Sequence, residues 1–162
     1  MFFWYLGCSV LLVLVVFRSR GVDYRLIAFG ALLPLLVDLP FGRPAIGHTL
    51  LFPVALLGVV MVATIGRSRL LRRRLICVPI GVFCGLVLSG AWRATAVIMW
   101  PTLGWRFPSG SLLGPWWVVL VLELAGLVAI WIVVGWGSLY EAGPRHEFLQ
   151  SGRIEQPTGE IE

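Results

Sequence analysis

Lysine is absent from this chain; all thirteen of its basic residues are arginine. Charge of either sign is scarce, at 13% of residues, where a soluble globular domain carries about 25%. Cysteine is limited to Cys8, Cys77 and Cys84. None forms a CxxC pair and all lie in apolar runs, so they read as buried free thiols that say nothing about redox compartment. The stretch YLGCS does not make a lipoprotein cleavage site, because Cys8 has no basic region or apolar run before it. No internal repeat relates the apolar runs, which argues against a repeat-built transporter. The formal net charge of +5 raises nucleic acid as a partner. The arginines sit between apolar runs, however, and that placement marks membrane topology and excludes nucleic acid.

What the chain has in abundance is apolar surface. It is 59% hydrophobic with a mean hydropathy of +0.92, against about 45–50% apolar for soluble domains. Its 162 residues suit one domain. Five apolar runs emerge: 1–17, 26–41, 48–66, 75–92 and 116–137. A membrane-spanning helix needs about 20 residues, with about 17–25 tolerated. The pattern predicts an all-α integral membrane protein, a bundle of about five transmembrane helices over residues 1–137. The second helix is expected to be short and broken by Pro34 and Pro40. Residues 138–162 are expected to form a polar cytoplasmic tail, partly disordered.

Arginine placement orients this bundle. With 67–74 (RSRLLRRR) inside, alternation places Arg18, Arg20, Arg25, Arg145 and Arg153 inside as well, making ten. Only Arg43, Arg93 and Arg106 fall outside. The asymmetry predicts an outside N-terminus, an inside C-terminus and a multi-pass protein of the cytoplasmic (inner) membrane. The bilayer itself is then the main partner, and the 67–74 loop is a candidate contact for anionic lipid.

The topology gathers polar residues at one depth. Asp38 ends the second run and His48 begins the third, with Tyr5, Ser89, Trp92, Arg93 and the loop WPTLGWRFPSG at the same outer boundary. An ionisable group in a span requires a partner or a task. Asp38 and His48 form either a pair of metal ligands, a base with its orienting carboxylate, or a hydrogen-bonded pair that pins a hairpin. Residue types alone favour the pin. Glu123, eight residues into the last run, is either a buried acid or an interhelical hydrogen-bonding group, with His48, Arg93 or Tyr5 as partner. The tryptophans near this boundary, Trp105 among them, suit an interfacial belt. Gly81, Gly85 and Ser89, at i, i+4 and i+8, suit close helix packing.

The stretches MFFWYLG, FGALLPLLVDLPFG, GHTLLF, GLVLSGAW and MWPTLGWRFPSG, in that order and spacing, resemble the membrane-bound metal-dependent hydrolases of the LexA-regulated inner-membrane type. The resemblance covers residues 1–137. It implies a ligand set of a His in the opening segment, two acids in LPDxxD, a His in GH[ST], and H-x-x-x-D on the fourth helix. Tyr5, Leu35, Gly85 and Ser89 stand at four of these positions, leaving Asp38 and His48 as a remnant metal pair.

Three functions follow as expectations. The first is a non-catalytic relative with a degenerate metal site and a packing, partner- or lipid-binding role, its ligand-lined face turned into a packing face and its cavity partly closed. The second is an active hydrolase of a lipid or envelope phosphoester at the outer leaflet. It would use zinc or manganese, with Asp38, His48 and Glu123 as catalytic residues and Arg93, Arg106 and Trp105 binding substrate. A transporter or channel subunit is the third and weakest expectation.

Overall fold

A computed structural model of the chain describes residues 1–17, 22–102, 104, 114–152 and 154. Among them the protein is all-helical and has no strand. Eight α-helices follow in order: α1 Phe2–Phe17, α2 Tyr24–Asp38, α3 Leu51–Ala63, α4 Arg69–Leu75, α5 Cys77–Ser89, α6 Thr95–Ile98, α7 Trp116–Trp136 and α8 Ala142–Ser151. Three single 3₁₀ turns, Leu39–Phe41, Ile46–His48 and Ala91–Arg93, line the end at which α2 and α5 finish.

Two helices are long and apolar enough to cross a membrane: α2 with its 3₁₀ extension, Tyr24–Phe41, and α7, Trp116–Trp136. This corrects the expectation for the second apolar run, because the helix continues through Pro34 rather than breaking there. The proline's missing donor costs one backbone bond, and Pro34 lies buried inside the bundle. The other apolar helices are shorter. α1 has 16 residues and α3 and α5 have 13 each, or about 24 and 20 Å at about 1.5 Å per residue. Five spans of full length are therefore not what the helices themselves provide.

Two glycine contacts set the packing. α2 lies most extensively on α5, and α1 on α7. A Cβ added at Gly81 would land on the carbonyl oxygen of Ile27, and one at Gly30 on that of Val78. One turn on, a Cβ at Gly85 would lie 2.5 Å from the oxygen of Ala31. At the other crossing, Gly7 and Gly126 meet in the same way, with Gly126 against the backbone of Phe3 and Trp4. Without lipid-facing hydrophobic drive between helices, such backbone approach is what holds apolar helices together. Trp4 donates from its indole nitrogen to Leu88 O at 3.1 Å, joining α1 to α5.

The core sits toward the opposite end from the 3₁₀ turns, where Val13, Leu14, Tyr24, Ile27, Cys77 and Val133 pack together with Ile154. Many large apolar side chains face outward, including Phe29, Val59, Val62, Phe83, Val128 and Trp131. An exposed apolar surface of this extent marks a chain with an apolar environment or partner.

The crossings predict the outcome of two substitutions. Gly81→Val and Gly126→Val should each lower stability in detergent by about 1–3 kcal/mol or more, because backbone lies where the side chain must go. Gly58→Val, with nothing within 4 Å, should change it little. Thermal unfolding of the three variants checks the ordering.

Candidate functional site

Asp38 ends α2 and is fully buried. Its Oδ2 accepts from the Ala45 N–H at 2.6 Å and its Oδ1 from the Gly47 N–H at 2.8 Å. His48 Nδ1 lies 2.7 Å from Oδ2. The carboxylate thus folds the loop 39–48 back on the helix end, satisfying two backbone donors that a buried loop leaves orphaned. Gly47 is required there, since a Cβ would lie 2.6 Å from Pro34 O and 3.0 Å from Asp38 Oδ1. His48 is fixed in the process and is 4% exposed.

Beyond His48 opens a cleft of about 530 Å³. Its polar lining comes from Tyr5 of α1, His48, Ser89 at the end of α5, and Arg93 in the turn after it. Its apolar lining includes Val87 and Leu88 of α5 and Val118 and Leu122 of α7. Tyr5 is 4% exposed, and its hydroxyl has no hydrogen-bond partner among the described residues. The same holds for the His48 ring nitrogen not facing Asp38. Ser89 spends its hydroxyl locally, donating to Leu86 O at 2.8 Å and accepting from Ala91 N–H at 3.2 Å. Arg93 stacks over Trp92, its guanidinium carbon 5.2 Å from the ring centroid, and makes no ion pair among the described residues.

The sequence expectations divide at this cleft. Tyr5, His48, Ser89 and Arg93 line it together; Asp38 lies behind it, Glu123 does not line it, and Leu35 and Gly85 are absent from its walls. Gly85 packs on Ala31, so the small-residue face of α5 does serve packing at Gly81 and Gly85. Ser89 instead lines the open cleft. Trp105 and Arg106 lie outside the described residues.

Glu123 has a partner that sequence reasoning missed. Its Oε1 accepts from the amine of Met1 and from the Phe2 N–H at 2.6 Å, and its Oε2 from the Phe3 N–H at 2.7 Å. A carboxylate from α7 therefore caps the first turn of α1, where orphan N–H groups and the positive end of the helix dipole favour an anion. His48, Arg93 and Tyr5 are not among its contacts.

A second polar cluster, also missed, closes the opposite end. Asp23, 5% exposed, pairs with Arg25 at 3.4 Å and Arg74 at 3.7 Å. Arg25 donates to the carbonyls of Leu149 and Gln150, and Arg74 to that of Ser151. Gly152, in the left-handed region at φ 72°, lays its backbone on Asp23, and Ile154 enters the core. The signal in sequence is an aspartate just before an apolar run, followed two residues later by an arginine.

Zinc or manganese, implied by the resemblance, finds no fitting donor set. A protein metal site takes about three or more side-chain ligands. Both oxygens of Asp38 and both of Glu123 are committed to N–H donors, and only His48 offers a ring nitrogen to the cleft. Among the described residues, no three His, Cys, Asp or Glu side chains converge. From residue 39 to 122 the sequence holds no aspartate or glutamate, so the walls of α3 and α5 and the loops around the cleft have no carboxylate to contribute.

Comparison of the chain with protein-family models, with curated proteins and with solved structures gives no match.

The Asp38 geometry predicts an asymmetry between its two variants. Asp38→Ala should cost about 3–5 kcal/mol, the range for removing one partner of a buried pair, because two backbone donors and the imidazole lose their acceptor together. His48→Ala leaves Asp38 its two N–H donors and should cost less, about 1–3 kcal/mol. Chemical or thermal unfolding in detergent reads the order directly.

Proposed function

We propose that this chain is a multi-pass protein of the cytoplasmic membrane that binds a ligand in an outward-facing polar cleft without metal chemistry. One observation carries the reading: a cleft of about 530 Å³ lined by Tyr5, His48, Ser89 and Arg93, from which both nearby carboxylates are withdrawn. Such a cleft favours anions or neutral hydrogen-bonding groups and disfavours divalent cations.

The membrane placement rests on the apolar exterior and on the arginines. In this reading α1, α3 and α5 cross with α2 and α7, the bilayer thinning or the flanking residues snorkelling to meet the shorter helices. The ten arginines assigned to the inner side then include Arg25 and Arg74, which sit together on Asp23 at the end away from the cleft. The exposed Arg69 and Arg73 are free to meet anionic lipid on that side. The likeness of five sequence stretches to membrane-bound metal-dependent hydrolases supports a shared bundle, with the ligand positions at Leu35 and Gly85 given over to apolar packing.

An active hydrolase is the competing function, and metal content separates the two. Protein purified in mild detergent without chelators should contain well under one equivalent of zinc or manganese by mass spectrometry. Near-stoichiometric metal in the wild type, lost in both Asp38→Ala and His48→Ala, would overturn the proposal.

A further inference from the structure

The cleft's own chemistry narrows the ligand, and the inference rests on the binding function proposed above. We infer that the cleft takes the phosphate of an anionic bilayer lipid, with Arg93, His48 and Tyr5 as the groups that recognise it.

The charge balance comes first. Among the described residues lining the cleft there is no acidic side chain. Met1 lines it too, and its amine pairs with Glu123. Arg93 remains as a cation with no carboxylate partner among the described residues. Its guanidinium, held over Trp92, presents the planar fork of donors that matches a phosphate's oxygens.

Two buried polar groups join it. His48 and Tyr5 are each 4% exposed, and each has a ring nitrogen or hydroxyl without a partner among the described residues. Both residues line the cleft, so a ligand there can supply that partner. A tyrosine hydroxyl and an imidazole nitrogen each hydrogen-bond to the oxygens and hydroxyls of a phosphate headgroup. Guanidinium, imidazole and phenol thus face one space, with no acidic side chain among the described residues that line it.

The apolar half of the lining decides the source of the phosphate. Val87, Leu88, Trp92, Val97, Val118 and Leu122 line the same cleft. A free phosphate ion gains nothing from that surface, whereas the glycerol and proximal acyl carbons of a lipid bury against it. The volume of about 530 Å³ falls in the range of about 300–1,000 Å³ usual for small-molecule sites.

The test uses the full chain in detergent, with native mass spectrometry reading bound lipid. The probes are dioleoyl phosphatidylglycerol, dioleoyl phosphatidylcholine and inorganic phosphate. One phosphatidylglycerol should bind in clear preference to phosphatidylcholine. Arg93→Ala should weaken it about tenfold, the equivalent of one charge-assisted contact. Tyr5→Phe, which keeps the ring and removes the hydroxyl, should weaken it less. Arg145→Ala, exposed on α8, should leave it unchanged. Equal binding of the two lipids would overturn the inference, as would binding that survives Arg93→Ala and is lost in Arg69→Ala and Arg73→Ala instead. Saturable binding of inorganic phosphate that displaces no lipid would place the anion site outside lipid recognition and overturn it too. Metal content reports separately: a metal-free protein that ignores anionic lipid refutes only this inference, while a stoichiometric metal refutes the function beneath it.

Discussion

The carboxylate of Asp38 is the constraint on which the cleft-bearing end of this protein depends. The loop of twelve residues, 39–50, returns from α2 to α3 and buries Ala45 and Gly47, whose backbone donors are costly to leave unpaired. Asp38 meets two of those donors and the imidazole of His48 at once. The cost of burying its charge is offset by three hydrogen bonds, and the result is a fixed His48 at the cleft wall. The same three hydrogen bonds occupy both oxygens of Asp38, which is the physical basis of the proposed binding function without metal.

Glu123 repeats this logic on the neighbouring helix. Its two oxygens cap the first turn of α1, beside the crossing of Gly7 and Gly126. That crossing sets how α1 presents Tyr5, and the Gly30–Gly81 crossing sets how α5 presents Ser89 and the turn bearing Arg93. At the far end Asp23 gathers Arg25 and Arg74 and, through them, the last carbonyls of α8. Each of the three buried or half-buried acids is thereby spent on backbone geometry, directly or through arginine. Among the described residues the cleft is left without an acidic side chain.

Much of this was legible in the sequence, for physical reasons. The apolar runs marked where helices form because apolar length is itself the signal. The spacing of Gly81 and Gly85 marked a packing face because only small residues permit backbone contact. The residues around Asp38 and His48 pointed to a hairpin pin. Helix lengths were less legible, since apolar residues continue into turns such as Thr64–Gly66 and Ala91–Arg93, and Pro34 does not interrupt α2. The partners of Glu123 were invisible because they are backbone groups of α1, which carry no residue-type signature. The docking of residues 149–152 on Asp23 and its arginines was hidden for the same reason: its acceptors are carbonyls. The open cleft could not be read from Ser89 alone, because whether a small residue packs or lines a void depends on the helix opposite.

The most direct test of the account is the protonation state of His48 by nitrogen NMR. Protein labelled at its two histidines, with His146→Asn to assign the signals, would be measured in detergent with and without added zinc. The account predicts a proton on Nδ1 in a strong hydrogen bond, and ring resonances that stay in place when one equivalent of zinc is added. Resonances that move with stoichiometric zinc, and do so only while Asp38 is present, would show that the pair serves a metal and would contradict it.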